Sequence, residues 1–251
     1  MSQVIEVVER YIIPDFPNID LPEEDGVPLE TNWHRLQINL LDDIIRYRWR
    51  ERTDFFAGGN MFIYYSLQQA RNRDYRGPDF FVVKDIDGSY PRQKWVVWEE
   101  NGRYPDVIVE LMSPSTAQED LGNKKELYER TFHTPEYFCY DPDERKLYGW
   151  RLGEQGYTLL IPNDEGRLWS AQLDGWIGPW EGAYHEEQAI WLRLFEKEGR
   201  LSPTEAEAER QRAEAEWQRA EAERQRAEAA EAELARLRQE LARRQGGAEE
   251  A

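Results

Sequence analysis

Apolar residues recur at spacings of three and four in "TNWHRLQINLLDDIIRYRWRER", where Trp33, Leu36, Leu40, Ile44 and Tyr47 share one side of a helix. Thr31 or Asn32 stands where that helix needs a cap. The pattern then changes to strands. "FFAGGNMFIYYSL" alternates around a Gly-Gly turn, and "GPDFFVVKDI" follows as a second strand, opened at Gly77-Pro78 and closed at Asp87-Gly88. "KWVVWEE" predicts a third strand and residues 107–112 a fourth, with a turn at Asn101-Gly102 between them. Helical spacing returns in "STAQEDLGNKKELYERTF", capped by Ser115 or Thr116 and weakened locally by Gly122. "PEYFCYDPDERKLYGWRL" predicts a hairpin, and "GYTLLIPNDEGRLWS" a second one turning at 163–166. Strands grouped before a single crossover helix predict an α+β fold rather than a doubly wound βαβ repeat.

After residue 200 the pattern is of another kind. A seven-residue repeat begins at Glu205, with Ala206, Ala213, Ala220, Ala227, Leu234 and Leu241 at one heptad position. Three residues further on stand Glu209, Glu216 and Glu223, then Ala230 and Leu237, so only the last heptads offer a coiled-coil seam. Pairs such as Glu209/Arg212 suit a solvated helix. The expected organisation is a globular domain over 1–200 and a charged helix over 201–251, solvated or weakly self-associating. A cut after Ser202 is expected to leave the domain folded. Any stable homodimer is expected to form through the domain body.

Composition agrees with that division. Residues 1–200 hold nine of the ten Trp and every Tyr, Phe and His, enough for a proper core, whereas the tail is Ala, Glu, Arg and Gln. Cys139 is the single cysteine, so no intrachain disulfide can form, and within "EYFCYDP" it reads as a packed strand residue. No stretch approaches the ~18 apolar residues of a membrane span, and the opening residues lack a signal-peptide pattern. A cytoplasmic location is the expectation. The net charge is −18, of which the tail carries −4. So acidic a body opposes the lysine- and arginine-driven binding of a general nucleic-acid coat. It opposes a metal-dependent nuclease less, because a bound cation reverses the local field. The basic runs "RYRWRER" and "RNRDYR" are the candidate DNA-contact patches, although solvated faces are their ordinary reading.

Glu110 stands out inside the apolar run 107–112. A carboxylate there needs a salt-bridge partner, a metal or a wet cleft, since unpartnered burial costs several kcal/mol. A structural salt bridge is the ordinary explanation. The balance changes when Asp79, at the mouth of the neighbouring strand, and Lys124, on the following helix, are added. Asp106 is too far along the strand, about 13 Å from Glu110, to share one ion with it. It is expected to be a strand-entry residue and otherwise an auxiliary one. His34 could touch such a site from its helix, although its ordinary reading is a solvated histidine, and His133 and His185 lack ligand-like partners. There is no GxxxxGK[ST] or GxGxxG phosphate loop and no Cys/His cluster.

"GPDFFVV", "PDVIVELMSPST", "DLGNKKELYER" and "PEYFCYDP" together resemble the Uma-type family of restriction endonucleases, a branch of the PD-(D/E)XK nuclease superfamily. The similarity spans roughly residues 20–200. It implies a mixed sheet flanked by helices and Mg²⁺- or Mn²⁺-dependent cleavage of DNA. Residue by residue, it makes Asp79 the PD aspartate and Glu110 the acid of the (D/E)XK element. Leu111 would lend its backbone carbonyl to the metal. The lysine expected two residues after the acid is replaced by Met112, and Lys124 matches the place from which this family supplies it. Glu30 matches the acid that some members carry near their first helix; charge compensation at the helix start is its ordinary role. The alternative to an active enzyme is an inactive nuclease fold that recruits partners through its tail.

Overall fold

The computed structural model describes residues 31–72 and 77–246, with backbone only from residue 240. Helix α1, Asn32–Arg48, begins at Thr31, whose hydroxyl accepts the His34 N–H. The strands β1 (Phe55–Gly58), β3 (Phe80–Lys84), β5 (Val107–Leu111), β6 (Glu136–Asp141), β7 (Lys146–Gly153) and β8 (Gly156–Leu159) form one six-stranded sheet in the order β1-β3-β5-β6-β7-β8. Every pair is antiparallel except β5 with β6. A parallel pair needs a crossover, and the helical stretch 117–130 provides it. The fold is α+β, a mixed sheet flanked by helices, as expected.

Alternation along β5 decides what each sheet face covers. Val107, Val109 and Leu111 join Leu40, Leu41 and Ile44 of α1 in one core. Ile108, with Met112 beyond the strand, joins Tyr128, Phe132, Tyr137 and Cys139 in the other. Glu110 belongs to this second face. Cys139 is buried there, as its strand context predicts.

Several elements differ from the sequence reading. The first expected strand is broken into β1, the two-residue β2 (Ile63–Tyr64) and α2 (Leu67–Arg71). "KWVVWEE" contributes only β4, Trp95–Val96, parallel to β2, before the chain turns. The second hairpin does not form. β8 pairs with β7, whereas β9 (Leu168–Ser170) pairs with β10 (Gly175–Tyr184), which pairs in turn with β11 (Glu187–Phe195). Its two halves have better partners elsewhere, and periodicity carries no information about that choice. Gln37 of α1 fastens this three-stranded sheet to the core by bonding both the N–H and the carbonyl of Leu192.

Helix α5, Glu205–Gly246, continues from the body without a loose joint. Thr204 and Glu207 form a reciprocal capping box. Glu207 also takes both terminal nitrogens of Arg193, at 3.0 and 2.7 Å, and Arg193 is fully buried. A cut after Ser202 would strip that arginine of its carboxylate.

Candidate active site

β3 runs antiparallel to β5 with Phe80 opposite Val109, so one step further places Asp79 across from Glu110. The approach to Asp79 is tight. A side chain at Gly59 would meet the Asp79 carbonyl at 2.3 Å, and Asn60 N–H bonds that same oxygen at 3.1 Å. Asp79 Oδ2 accepts the Leu111 N–H at 2.7 Å, and Glu110 Oε2 accepts the Asp79 N–H at 3.3 Å.

The crossover stretch supplies the other side of the cluster. It is α3 (Ala117–Glu119), a π-helical turn at Asp120–Lys124, and α4 (Lys125–Arg130). A widened turn of this type is frequent at functional sites. Lys124 Nζ lies 3.1 Å from Glu110 Oε2 and 2.7 Å from Asp120 Oδ1. Tyr128 donates its hydroxyl to Glu110 Oε1 at 2.8 Å. Tyr137 secures the turn from β6 by donating to the Asp120 carbonyl. Lys125 points elsewhere, over the ring of Trp150.

Burial dominates the electrostatics. It pushes Glu110 up to about 8 against the pull of Lys124, and the adjacent Asp79 adds to the rise. It raises Asp79 to about 6, again opposed by Lys124. Burial also disfavours the Lys124 ammonium, but Glu110 and Asp120 outweigh it and lift that group above its ordinary value. Three carboxyl groups therefore surround one cation. Tyr128, raised by burial and by the Glu110 charge, stays a neutral donor.

Asp79, Glu110 and Lys124 thus meet in one place. Asp106 does not join them; its Oδ2 accepts the Lys84 N–H at 2.7 Å and faces Arg103 at 3.3 Å, the strand-entry role. Glu30 lies outside the described residues. His34 corrects the sequence reading. It is buried rather than solvated, with Nδ1 2.8 Å from Thr31 Oγ1 and Nε2 3.3 Å from the Leu111 carbonyl oxygen. Asp120 and Tyr128 were also missed as site residues. Their spacing of four on either side of Lys124 was visible, but acids and tyrosines are ordinary on helix faces.

The first basic run is largely engaged within the molecule. Arg46 holds Asp42 and the Ala57 carbonyl, Arg48 holds Glu196 and Ser202, and Arg52 holds Asp54. Residues 73–76 of the second run lie outside the described residues. Among the described residues no group of three or more His, Cys, Asp or Glu side chains is arranged to hold a metal, and no helix is long and apolar enough to cross a membrane.

Comparison with known proteins gives two findings and one blank. No curated protein matches the sequence. A crystal structure of a putative nuclease belonging to DUF820, from Anabaena variabilis, is similar at 18% identity and a TM-score of 0.39, covering 58% of this chain and 76% of that one. The family model described as "Putative restriction endonuclease" matches residues 23–177, a stretch that contains Asp79, Glu110 and Lys124. Since that match spans more than half of the sequence, the chain belongs to the Uma2 family.

Proposed function

We propose that the protein is a divalent-metal-dependent endonuclease that hydrolyses phosphodiester bonds in DNA. The observation that carries this is the pairing of Asp79 with Glu110 at the end of β5, where Glu110 Oε2 accepts the Asp79 N–H, with the Lys124 ammonium 3.1 Å from Glu110. Asp79, Glu110 and the Leu111 carbonyl would hold the ion. An extended residue points its N–H and C=O to the same side. The Leu111 N–H is bonded to Asp79, so its carbonyl is turned toward the Asp79 side as well. An all-oxygen set with only two carboxylates suits Mg²⁺ or Mn²⁺, which keep several waters and take further ligands from a phosphate. Three carboxyls against one ammonium leave a deficit of positive charge, which fits a bound dication.

When bound, the ion supplies Lewis acidity toward the phosphate and lowers the pKa of a coordinated water. The protein supplies the rest. Glu110 and Asp120 hold Lys124 by ion pairs at 3.1 and 2.7 Å, so that its ammonium would face the attacking water or a phosphate oxygen. There it stabilises the added negative charge of the phosphorane-like transition state. Tyr128 keeps Glu110 in its rotamer by occupying the oxygen that faces away from Lys124.

A plasmid-nicking assay with Mg²⁺ or Mn²⁺ tests this, with wild type against Glu110→Ala. The wild type is expected to nick DNA and the variant to lose at least about a hundredfold. Equal rates, or no cleavage by the wild type, would overturn the reading. The second reading, an inactive fold that recruits partners through α5, is favoured by one observation: both Glu110 oxygens are already occupied within the protein. It predicts neither nicking nor a metal-induced rise in Tm.

A further inference from the structure

His34 reaches the proposed metal site from the opposite face of the sheet. It sits in the first turn of α1, is 7% exposed, and contacts nothing of the Lys124 cluster except through the backbone of β5. Its Nε2 lies 3.3 Å from the Leu111 carbonyl oxygen. A carbonyl can only accept, so Nε2 carries a proton. The other nitrogen, Nδ1, lies 2.8 Å from the Thr31 hydroxyl. Thr31 therefore has two duties: its oxygen caps the helix by accepting the His34 N–H, and its hydroxyl meets Nδ1, which holds the ring in place. A hydrogen-bonded partner on one ring nitrogen fixes what the other presents.

Leu111 is thereby held by two side chains from separate parts of the fold. Its N–H goes to Asp79 and its carbonyl to His34. The following peptide is fixed too, because Met112 N–H bonds the Tyr140 carbonyl of β6 at 2.8 Å. A carbonyl oxygen has two lone pairs, and His34 occupies one. The other remains for a cation. An open cleft of about 700 Å³ is lined by His34, Met112 and Ser113, just past this strand end.

We infer that His34 is a positioning residue of the metal site, whose Nε2–H fixes the Leu111 carbonyl as the backbone oxygen offered to a divalent cation. This rests on the metal-binding reading of Asp79 and Glu110. Partners one bond removed from a metal typically change its affinity by 10–100-fold when lost. Because the contact runs through a backbone group, the requirement is for an N–H at one point in space and not for an imidazole.

Calorimetric titration of the full chain with Mn²⁺, without DNA, tests the inference. His34→Leu is expected to weaken Mn²⁺ binding by about tenfold or more. His34→Gln, whose amide N–H reaches roughly the Nε2 position, is expected to stay within about threefold of wild type. His34→Asn, which is too short to reach Leu111, is expected to behave like the leucine variant, and it serves if His34→Leu fails to fold. Equal affinity in wild type, His34→Leu and His34→Asn, neither of which places an N–H at the Leu111 carbonyl, would overturn the inference while leaving the metal site standing. Glutamine as weak as leucine would also overturn it, since packing and not the hydrogen bond would then be responsible. A wild type that binds no Mn²⁺ would instead sink the metal reading, and this inference with it.

Discussion

Lys124 is the residue on which the cluster's stability rests. Its ammonium stands between Glu110 and Asp120, both essentially without solvent exposure. Removing one partner of a buried pair leaves the other charge uncompensated, which usually costs 3–5 kcal/mol. Lys124→Met should therefore lower stability by about 3 kcal/mol near pH 9, where Glu110 is ionised in the wild type. The loss should be smaller at pH 5. Glu110, already raised by burial, takes up a proton there, so the uncompensated charge is removed. Denaturant melts of both proteins at the two pH values measure this. A loss that does not depend on pH would mean that the side chain matters for packing alone.

Two helical elements carry more of the design than their patterns suggest. The π turn at Asp120–Lys124 brings Asp120, Lys124 and, through α4, Tyr128 onto the Glu110 side of the sheet. The first turn of α5 belongs structurally to the body, through Glu207 and the fully buried Arg193. Burial alone would raise Glu207, but hydrogen bonds from Arg193 and Thr204 outweigh it and hold the carboxyl below its ordinary value. A group with a depressed folded pKa adds stability above its unfolded pKa and loses it as pH falls through the folded one. A chain ending at Ser202 should melt about 6–12 °C below one ending at Arg212, the equivalent of breaking a buried pair in a domain of this size. That gap should narrow below about pH 4, as Glu207 of the longer chain takes up a proton and its pairing with Arg193 is lost. Calorimetry of the two truncations checks both statements. Equal melting temperatures at pH 7 would show that Arg193 finds another partner.

The whole molecule is acidic, with a net charge of −18, and α5 is 42 residues, about 63 Å, long. Along that length, among the residues whose side chains are described, Trp217, Leu234 and Leu237 are the exposed large apolar ones. Trp217 is off the Leu234–Leu237 seam, and about two heptads of Ala and Leu bury little area at ~25 cal/mol per Å². The helix carries its own local support, with Arg224 bonded to Glu221 at 2.8 Å and near Glu228. Sedimentation at micromolar concentration should therefore give the same oligomeric state for the full chain and for a chain ending at Arg212. A stable dimer that falls to monomer on this truncation would make α5 the dimerisation element.

Apolar periodicity was sufficient for α1, the strands β3, β5, β6 and β7 and the crossover helix, because each packs apolar residues against a partner, and the tail was legible from its seven-residue repeat. Glu110 was legible as an acid where the pattern asks for an apolar residue, and Asp79 and Lys124 through their resemblance to a family motif. What sequence could not supply was every choice among distant partners. β9 left its expected hairpin for β10, since strand pairing depends on contacts far along the chain. Asp120 looked like any helix-face acid until the π turn carried it to Lys124. His34 looked solvated because its partner, the Leu111 carbonyl, is a backbone group, and backbone acceptors leave no mark in a side-chain pattern. The sequence by itself determined the elements and the chemistry available to them; the tertiary structure decided which groups meet, because burial and hydrogen bonding across the sheet are settled only when its two faces are packed.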